Sequence, residues 1–162
     1  MSISEVDILK INDKIAPLIG MKAWGVSLGI GSFVTIEFGK ALPSDKVTGR
    51  QHGEWHLWIY CSAWRLETEK EVIVGSEDER SILEDAIQQL NGTLLNSVTI
   101  TRPAFDTIFE FDGLNKIRVF PLSFHDDCEY WMLYTPDGNV LTVGPGTSWR
   151  IEKSSKQKDE PN

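Results

Sequence analysis

Two short stretches gather side chains that could hold a metal. His52-Gly53-Glu54-Trp55-His56 offers two imidazoles and a carboxylate, and His125-Asp126-Asp127-Cys128 adds an imidazole, two carboxylates and a thiol. Zinc takes ligands of these types. The H-x-x-x-H spacing suits a helix, where residues four apart share a face. Gly53 and its successors read as a strand instead. Residues four apart on a strand share a face but stand ~13 Å apart, and the two stretches flank opposite ends of that strand. The sequence therefore predicts no metal and no cofactor.

Other chemistry is weaker still. Glu37 and Glu110 fall at matched positions on strand-like segments. Paired carboxylates can do acid–base work, but each is expected to face outward to solvent. Gly29-Ile30-Gly31-Ser32-Phe33 lacks the Gly-x-Ser-x-Gly of a nucleophile elbow. It also lacks the long helix that follows a phosphate-binding glycine loop, so it reads as a turn, as does Gly144-Pro145-Gly146. No catalytic residue is assigned. Cys61 and Cys128 are too few for a disulfide framework. They are expected as buried free thiols in a reducing cytoplasm.

Elements that would position these residues follow from periodicity. Ile8, Ile11, Ile15, Leu18 and Ile19 line one helix face, with Ser4 and Asp7 as its capping box and Pro17 ending its regular part near Ile15. A second helix is predicted from a box at Ser76 and Glu79, a stripe of Ile82, Leu83, Ala86, Ile87 and Leu90, and an Asn91-Gly92 stop. Alternating apolar residues predict strands around Val26–Ile30, Val34–Phe38, His56–Cys61, Trp64–Thr68 and Val72–Gly75. They recur around Val98–Thr101, Phe109–Phe111, Ile117–Phe120, Tyr130–Tyr134 and Asn139–Val143. Lys153–Asn162 is polar and aperiodic and is expected as a disordered tail.

The order of elements repeats. An offset of about 72 carries the first helix onto the second, Gly20 onto Gly92 and Val26 onto Val98. Glu37-Phe38 then falls on Glu110-Phe111 one residue later in register. An offset of about 60 carries Leu57 and Ile59 onto Ile117 and Val119, and about 67 carries Cys61 and Trp64 onto Cys128 and Trp131. The expected fold is α+β: two tandem helix-plus-five-strand repeats, about 4–75 and 76–146, with mostly antiparallel sheets related by a pseudo-two-fold. Together they make a single compact domain over 1–152. Whether the repeats share one sheet or form two is open at this stage.

One strand points to a function. Leu57 and Ile59 lie on one face of it; His56, Trp58 and Tyr60 lie on the other. Their counterparts are Lys116, Arg118 and Phe120. The first face is apolar in both repeats and is expected to be core. The second is aromatic in one and basic in the other, and Trp, Tyr and Arg are the residue types of interface hot spots. His56, Trp58, Tyr60 and Arg118 are the candidate partner-binding residues.

"GSFVTIEFG", "GEWHLWIYCSAWRLE" and "PDGNVLTVGPG" resemble an uncharacterised bacterial protein family. Small acidic α+β proteins of this type are similar to immunity proteins, which block a toxin by binding it. The resemblance implies a binding role and carries no catalytic motif. Composition agrees: 41% hydrophobic residues are enough for a core, and a net charge of −8 argues against nucleic acid as a partner. No apolar run is long enough to cross a membrane. The reading is a non-catalytic cytoplasmic module that binds a protein partner with a basic surface, or itself as a homodimer. The alternative is a small-ligand-binding protein or hydrolase-like enzyme with a cleft between the repeats.

Overall fold

The computed structural model describes residues 2–154. Within them the first helix, α1 (Glu5–Ile15), is closed by the expected box: Asp7 N donates to Ser4 Oγ at 3.0 Å and Ser4 N donates to Asp7 Oδ2 at 2.9 Å. Pro17 sits in a 3-10 turn, Ala16–Leu18, that follows directly. Eleven strands are described: β1 (Ala23–Leu28), β2 (Val34–Ala41), β3 (Gly53–Ile59), β4 (Ala63–Glu67), β5 (Val72–Gly75), β6 (Leu95–Thr101), β7 (Asp106–Phe111), β8 (Lys116–Phe120), β9 (Trp131–Tyr134), β10 (Asn139–Val143) and β11 (Trp149–Lys153). The second helix, α2 (Arg80–Ile87), lies between β5 and β6 and also runs on into a 3-10 turn, Gln88–Leu90.

The strands form two sheets, antiparallel throughout. The first has the order β1-β2-β3-β9-β10-β11 and the second β5-β4-β8-β7-β6. The chain changes sheet twice, after β3 and after β8. Each crossing leaves a strand that is completed from elsewhere in the chain. β9 lies beside β3 with Leu133 opposite Leu57 and Trp131 opposite Ile59. β4 lies beside β8 with Leu66 opposite Ile117 and Trp64 opposite Val119. All eight side chains are buried. One hydrophobic core joins the inner faces of both sheets. The Trp131 indole donates to Thr107 Oγ1 of β7 at 3.1 Å and stands edge-on to Phe109 at 5.6 Å. The Trp64 indole donates to the Ser32 carbonyl, in the β1–β2 turn, at 2.7 Å.

The helices pack at sheet edges, α2 beside β1 and β5 and α1 beside β6. They bury Ile11 and Ile15 of α1 with Leu18 beyond it, and Leu83 and Ile87 of α2 with Leu90 beyond it. The starts of β1 and β6 meet at a single antiparallel bridge, Lys22 opposite Leu94. Four backbone bonds surround it. Gly20 N donates to Leu95 O (2.7 Å) and Gly92 N to Ala23 O (2.8 Å). Ala23 N donates to Thr93 O (2.8 Å) and Leu95 N to Met21 O (2.9 Å).

Several expectations need correction. The box at Ser76 and Glu79 does not form: Ser76 Oγ accepts from Trp64 N at 3.1 Å, so it holds the chain to β4, and α2 starts after Glu79 with no side-chain cap. Ile82 and Ile19, assigned to buried helix stripes, are 50% and 43% exposed. Lys153 ends β11, an eleventh strand beyond the ten expected; the rest of the predicted tail, apart from Ser154, lies outside the described residues. Nor are the cysteines free. Cys61 and Cys128 form a disulfide, with Cα atoms 5.7 Å apart. It joins the two segments that cross between sheets, which run side by side through Tyr60 N to Tyr130 O (2.9 Å) and Cys61 N to Glu129 O (3.0 Å). Among the described residues no helix is long and apolar enough to cross a membrane.

The bond closes a loop over a sequence separation of 67. On loop entropy alone it should stabilise the fold by about 4 kcal/mol. A Cys61→Ser, Cys128→Ser double variant should lower the urea-unfolding free energy by up to that amount, and reductant should do the same to the natural chain but nothing to the variant. Equal stability in all three samples would show that the crossings are held without the bond.

Candidate functional site

The outer faces of the two sheets differ in kind. On the first, alternation along β3 turns His56 and Trp58 outward, with Tyr60 just past the strand end. Across the ladders Glu37 and Tyr134 flank His56, while Thr35 and Met132 flank Trp58. Phe33, from the β1–β2 turn, closes on this row: its ring centroid is 4.3 Å from Tyr60 and 6.5 Å from Trp58, and Trp58 and Tyr60 are 4.9 Å apart. These rings are half-buried. Beside them an open depression of about 210 Å³ is lined by Trp58, Tyr60, Met132, Tyr134, Thr142 and Arg150, among others.

The second sheet's outer face is closed by ion pairs. Arg118, expected to join His56, Trp58 and Tyr60, is here instead, because β8 belongs to this sheet. Its Nε bonds Glu67 Oε1 at 2.9 Å, and Arg65 Nε bonds Glu67 Oε2 at 3.2 Å. Arg65 also stacks over Phe120 at 5.0 Å. Lys116 pairs with Glu69 (2.8 Å) and Glu110 (3.6 Å), and Ser97 Oγ donates to Glu110 at 2.6 Å. A wider depression of about 470 Å³ lies among these charges. Glu37 and Glu110, matched in sequence, therefore sit on different sheets and do not face one another.

Glu37 does not face solvent, as a strand's outward carboxylate was expected to. It is 3% exposed. His52 Nδ1 lies 2.7 Å from its Oε1, and His56 Nδ1 lies 2.5 Å from Oε1 and 2.7 Å from Oε2. An ionised carboxylate only accepts, so both imidazoles donate. The two rings are 4.7 Å apart, centroid to centroid. The expected ~13 Å between residues four apart measures backbone rise alone. Here both side chains lean toward one carboxylate that stands opposite His56 on β2. β2 also changes register between Phe38 and Ala41, where it meets Gly53, and Leu42 N donates to the His52 carbonyl at 2.8 Å. These contacts draw His52 back over the strand.

Bare backbone makes the room. A Cβ on Gly53 would stand 2.5 Å from the Phe38 carbonyl and 3.1 Å from the Trp24 indole. Gly25, at a register shift in β1, has φ +59°, and a Cβ there would meet Glu37 Cγ at 3.0 Å. Burial pushes the Glu37 carboxyl up, but the hydrogen bonds from His52 and His56 outweigh it and hold the group below its ordinary value. One ring nitrogen from each histidine and one carboxylate oxygen lie within 4.8 Å of one another. Two imidazoles and a carboxylate are a ligand set suited to a first-row divalent cation. The other stretch, His125 to Cys128, does not converge in this way, since the Cys128 sulfur is bonded to Cys61.

Two outcomes are expected. Gly25→Ala should destabilise the fold by about 1–3 kcal/mol, because a left-handed alanine is strained and its Cβ crowds Glu37; a thermal melt unchanged from the natural chain would refute this. Glu67 titrates in the usual carboxylate sense. Burial raises it, and the bonds from Arg118 and Arg65 more than compensate, so in the folded chain it is held below its ordinary value. Its contribution to stability is present above that value and is lost as pH falls through the lower folded value. Glu67→Gln should therefore shrink the drop in melting temperature between pH 7 and pH 3, and an undiminished drop would refute it. The chain matches no protein-family model, no curated protein and no solved structure.

Proposed function

We propose that the protein is a non-catalytic protein-binding module, of the immunity or accessory type, and that it engages its partner through the outer face of the first sheet. The contrast between the two outer faces carries this reading. On the second sheet, charged side chains satisfy one another. On the first, Phe33, Trp58 and Tyr60 form a half-buried aromatic cluster beside an open depression. Clustered aromatic residues of this kind make hot spots, because they bury much area for little lost side-chain freedom. A net charge of −8 favours a basic partner surface. The alternative of a small-ligand cleft between the repeats has less support: the depression beside the aromatic cluster and the one among the second sheet's charges both lie on outer faces.

The same proposal includes the tandem repeat. Its support is the agreement of pairings. In each sheet three consecutive strands are followed by strands from the other half, β1-β2-β3 with β9-β10 and β6-β7-β8 with β4-β5, and β11 extends the first sheet beyond this pattern. The Lys22–Leu94 bridge and the Cys61–Cys128 bond each join residues that the repeat makes equivalent. A cytoplasmic location was expected from two free thiols. The disulfide removes that support and favours an oxidising compartment.

The test compares capture of partner protein from a lysate of the source organism by the natural chain, Trp58→Ala and Arg118→Ala. Trp58→Ala should cut a stoichiometric capture by about tenfold or more, with a circular dichroism spectrum like that of the natural chain. Arg118→Ala should leave it unchanged. Full capture by Trp58→Ala, or loss of capture with Arg118→Ala alone, would remove the first sheet's face from consideration. Light scattering of the isolated chain tests the homodimer.

A further inference from the structure

We propose that Glu37, His52 and His56 form a binding site for a divalent transition-metal cation, zinc being the reference case. This goes beyond the binding role above and does not rest on it. Three observations carry it. First, the carboxylate is 3% exposed, so it has lost its water, and an ionised group in that position calls for a positive partner. Among the described residues it pairs with His52 and His56, each cationic only when protonated. The matched Glu110 has Lys116 at 3.6 Å and keeps much of its exposure, with a side chain 43% accessible. A bound cation would supply there the charge that Lys116 supplies on the other sheet.

Second, the donors are held together before any ion arrives. Two come from facing residues of β2 and β3, and the third from the residue just before β3. Third, the fit needs little movement. Ligands at about 2.0–2.2 Å around a tetrahedral ion stand roughly 3.4 Å apart. The Nδ1 atoms now lie 2.7 and 2.5 Å from Glu37 Oε1, so they must part by less than about 1 Å. His52 can give way, since its side chain is 35% exposed. On binding, each neutral imidazole presents the Nδ1 lone pair to the ion and carries its proton on Nε2. No proton is released overall unless a histidine was charged beforehand. Three protein ligands leave a fourth tetrahedral position for water or a partner's side chain.

The test is titration of the oxidised, untagged full chain with zinc by calorimetry, and with cobalt by visible absorption, at pH 7.5 and pH 5.5. The expected result is one equivalent bound at pH 7.5. Affinity should fall at pH 5.5 as the imidazoles protonate. It should also fall at least about tenfold in His52→Ala and in Glu37→Gln, and stay unchanged in His125→Ala. A thermal melt of each variant checks folding. If Glu37→Gln does not fold, His52→Ala alone decides, because its partly exposed side chain precedes the strand. Absence of binding by the natural chain overturns the proposal. So does binding that survives in His52→Ala, or binding abolished by His125→Ala.

Discussion

Neither sheet of this protein can be completed by consecutive strands, and much of the architecture answers to that constraint. After β3 and after β8 the chain leaves its sheet, and each departure would expose a row of unpaired backbone groups. Such edges recruit other chains. Here β9 and β4 fill them from distant parts of the sequence. The filling has to respect side-chain parity, because a slip of one residue would turn Trp131 and Leu133, or Trp64 and Leu66, out of the core. The two tryptophans secure the register from inside, each with its ring buried and its indole N–H satisfied by a group on the opposing sheet. The Cys61–Cys128 bond ties the two crossings to each other, so strand exchange and covalent closure sit at the same place.

On the repeat reading, that exchange also explains how one scaffold carries two unlike surfaces. The third strands of the two repeats occupy equivalent places in different sheets. His56 and Trp58 are outward on one, Lys116 and Arg118 on the other. Basic residues in the second sheet find Glu67, Glu69 and Glu110 and make a closed set of ion pairs. On the first sheet the outward side chains include aromatic rings. They stack on one another and leave apolar ring surface partly accessible, which is the raw material of a contact face.

Much of this was legible in the sequence. The capping box at Ser4, the stop at Pro17, the alternation of Leu57 and Ile59 against His56 and Trp58, and the Gly29–Phe33 turn all rest on local physics, and local physics decided them. What failed depended on distance. Ser76 looks like a helix cap until β4 is known to lie beside it and to use its hydroxyl. Arg118 shares a column with Trp58 when the sequence is aligned as two repeats, whereas the strand order places β3 and β8 on separate sheets. The disulfide joins residues 67 apart in sequence; aligning Cys61 with Cys128 makes them equivalent but does not bring them into contact. β11 pairs with β10 after the Gly144–Gly146 turn, although Arg150, Ile151 and Glu152 remain exposed, so no alternation of burial marks it out. The histidines escaped because a strand's rise is a backbone distance, while two imidazoles leaning on one carboxylate meet in spite of it. The available signal was Glu37 facing His56 across a hairpin, with glycines at 25 and 53 to make room.

Glu37 shows how the two surfaces come to differ in more than composition. A carboxylate buried on a strand must be compensated, and the second sheet's ion pairs show the ordinary solution: arginine or lysine, whose charge is permanent at any physiological pH. Histidine is a different choice. Its charge is conditional on pH, and its nitrogen can exchange a proton for a metal without leaving the carboxylate's side. A permanent ion pair at this position would have fixed the surface in one state. Two imidazoles in hydrogen-bond contact with Glu37, one of them just before β3 and the other within it, leave the charge at the edge of the aromatic face adjustable. The bare backbone at Gly25 and Gly53 belongs to the same arrangement, since a side chain at either position would close the space in which that adjustment takes place.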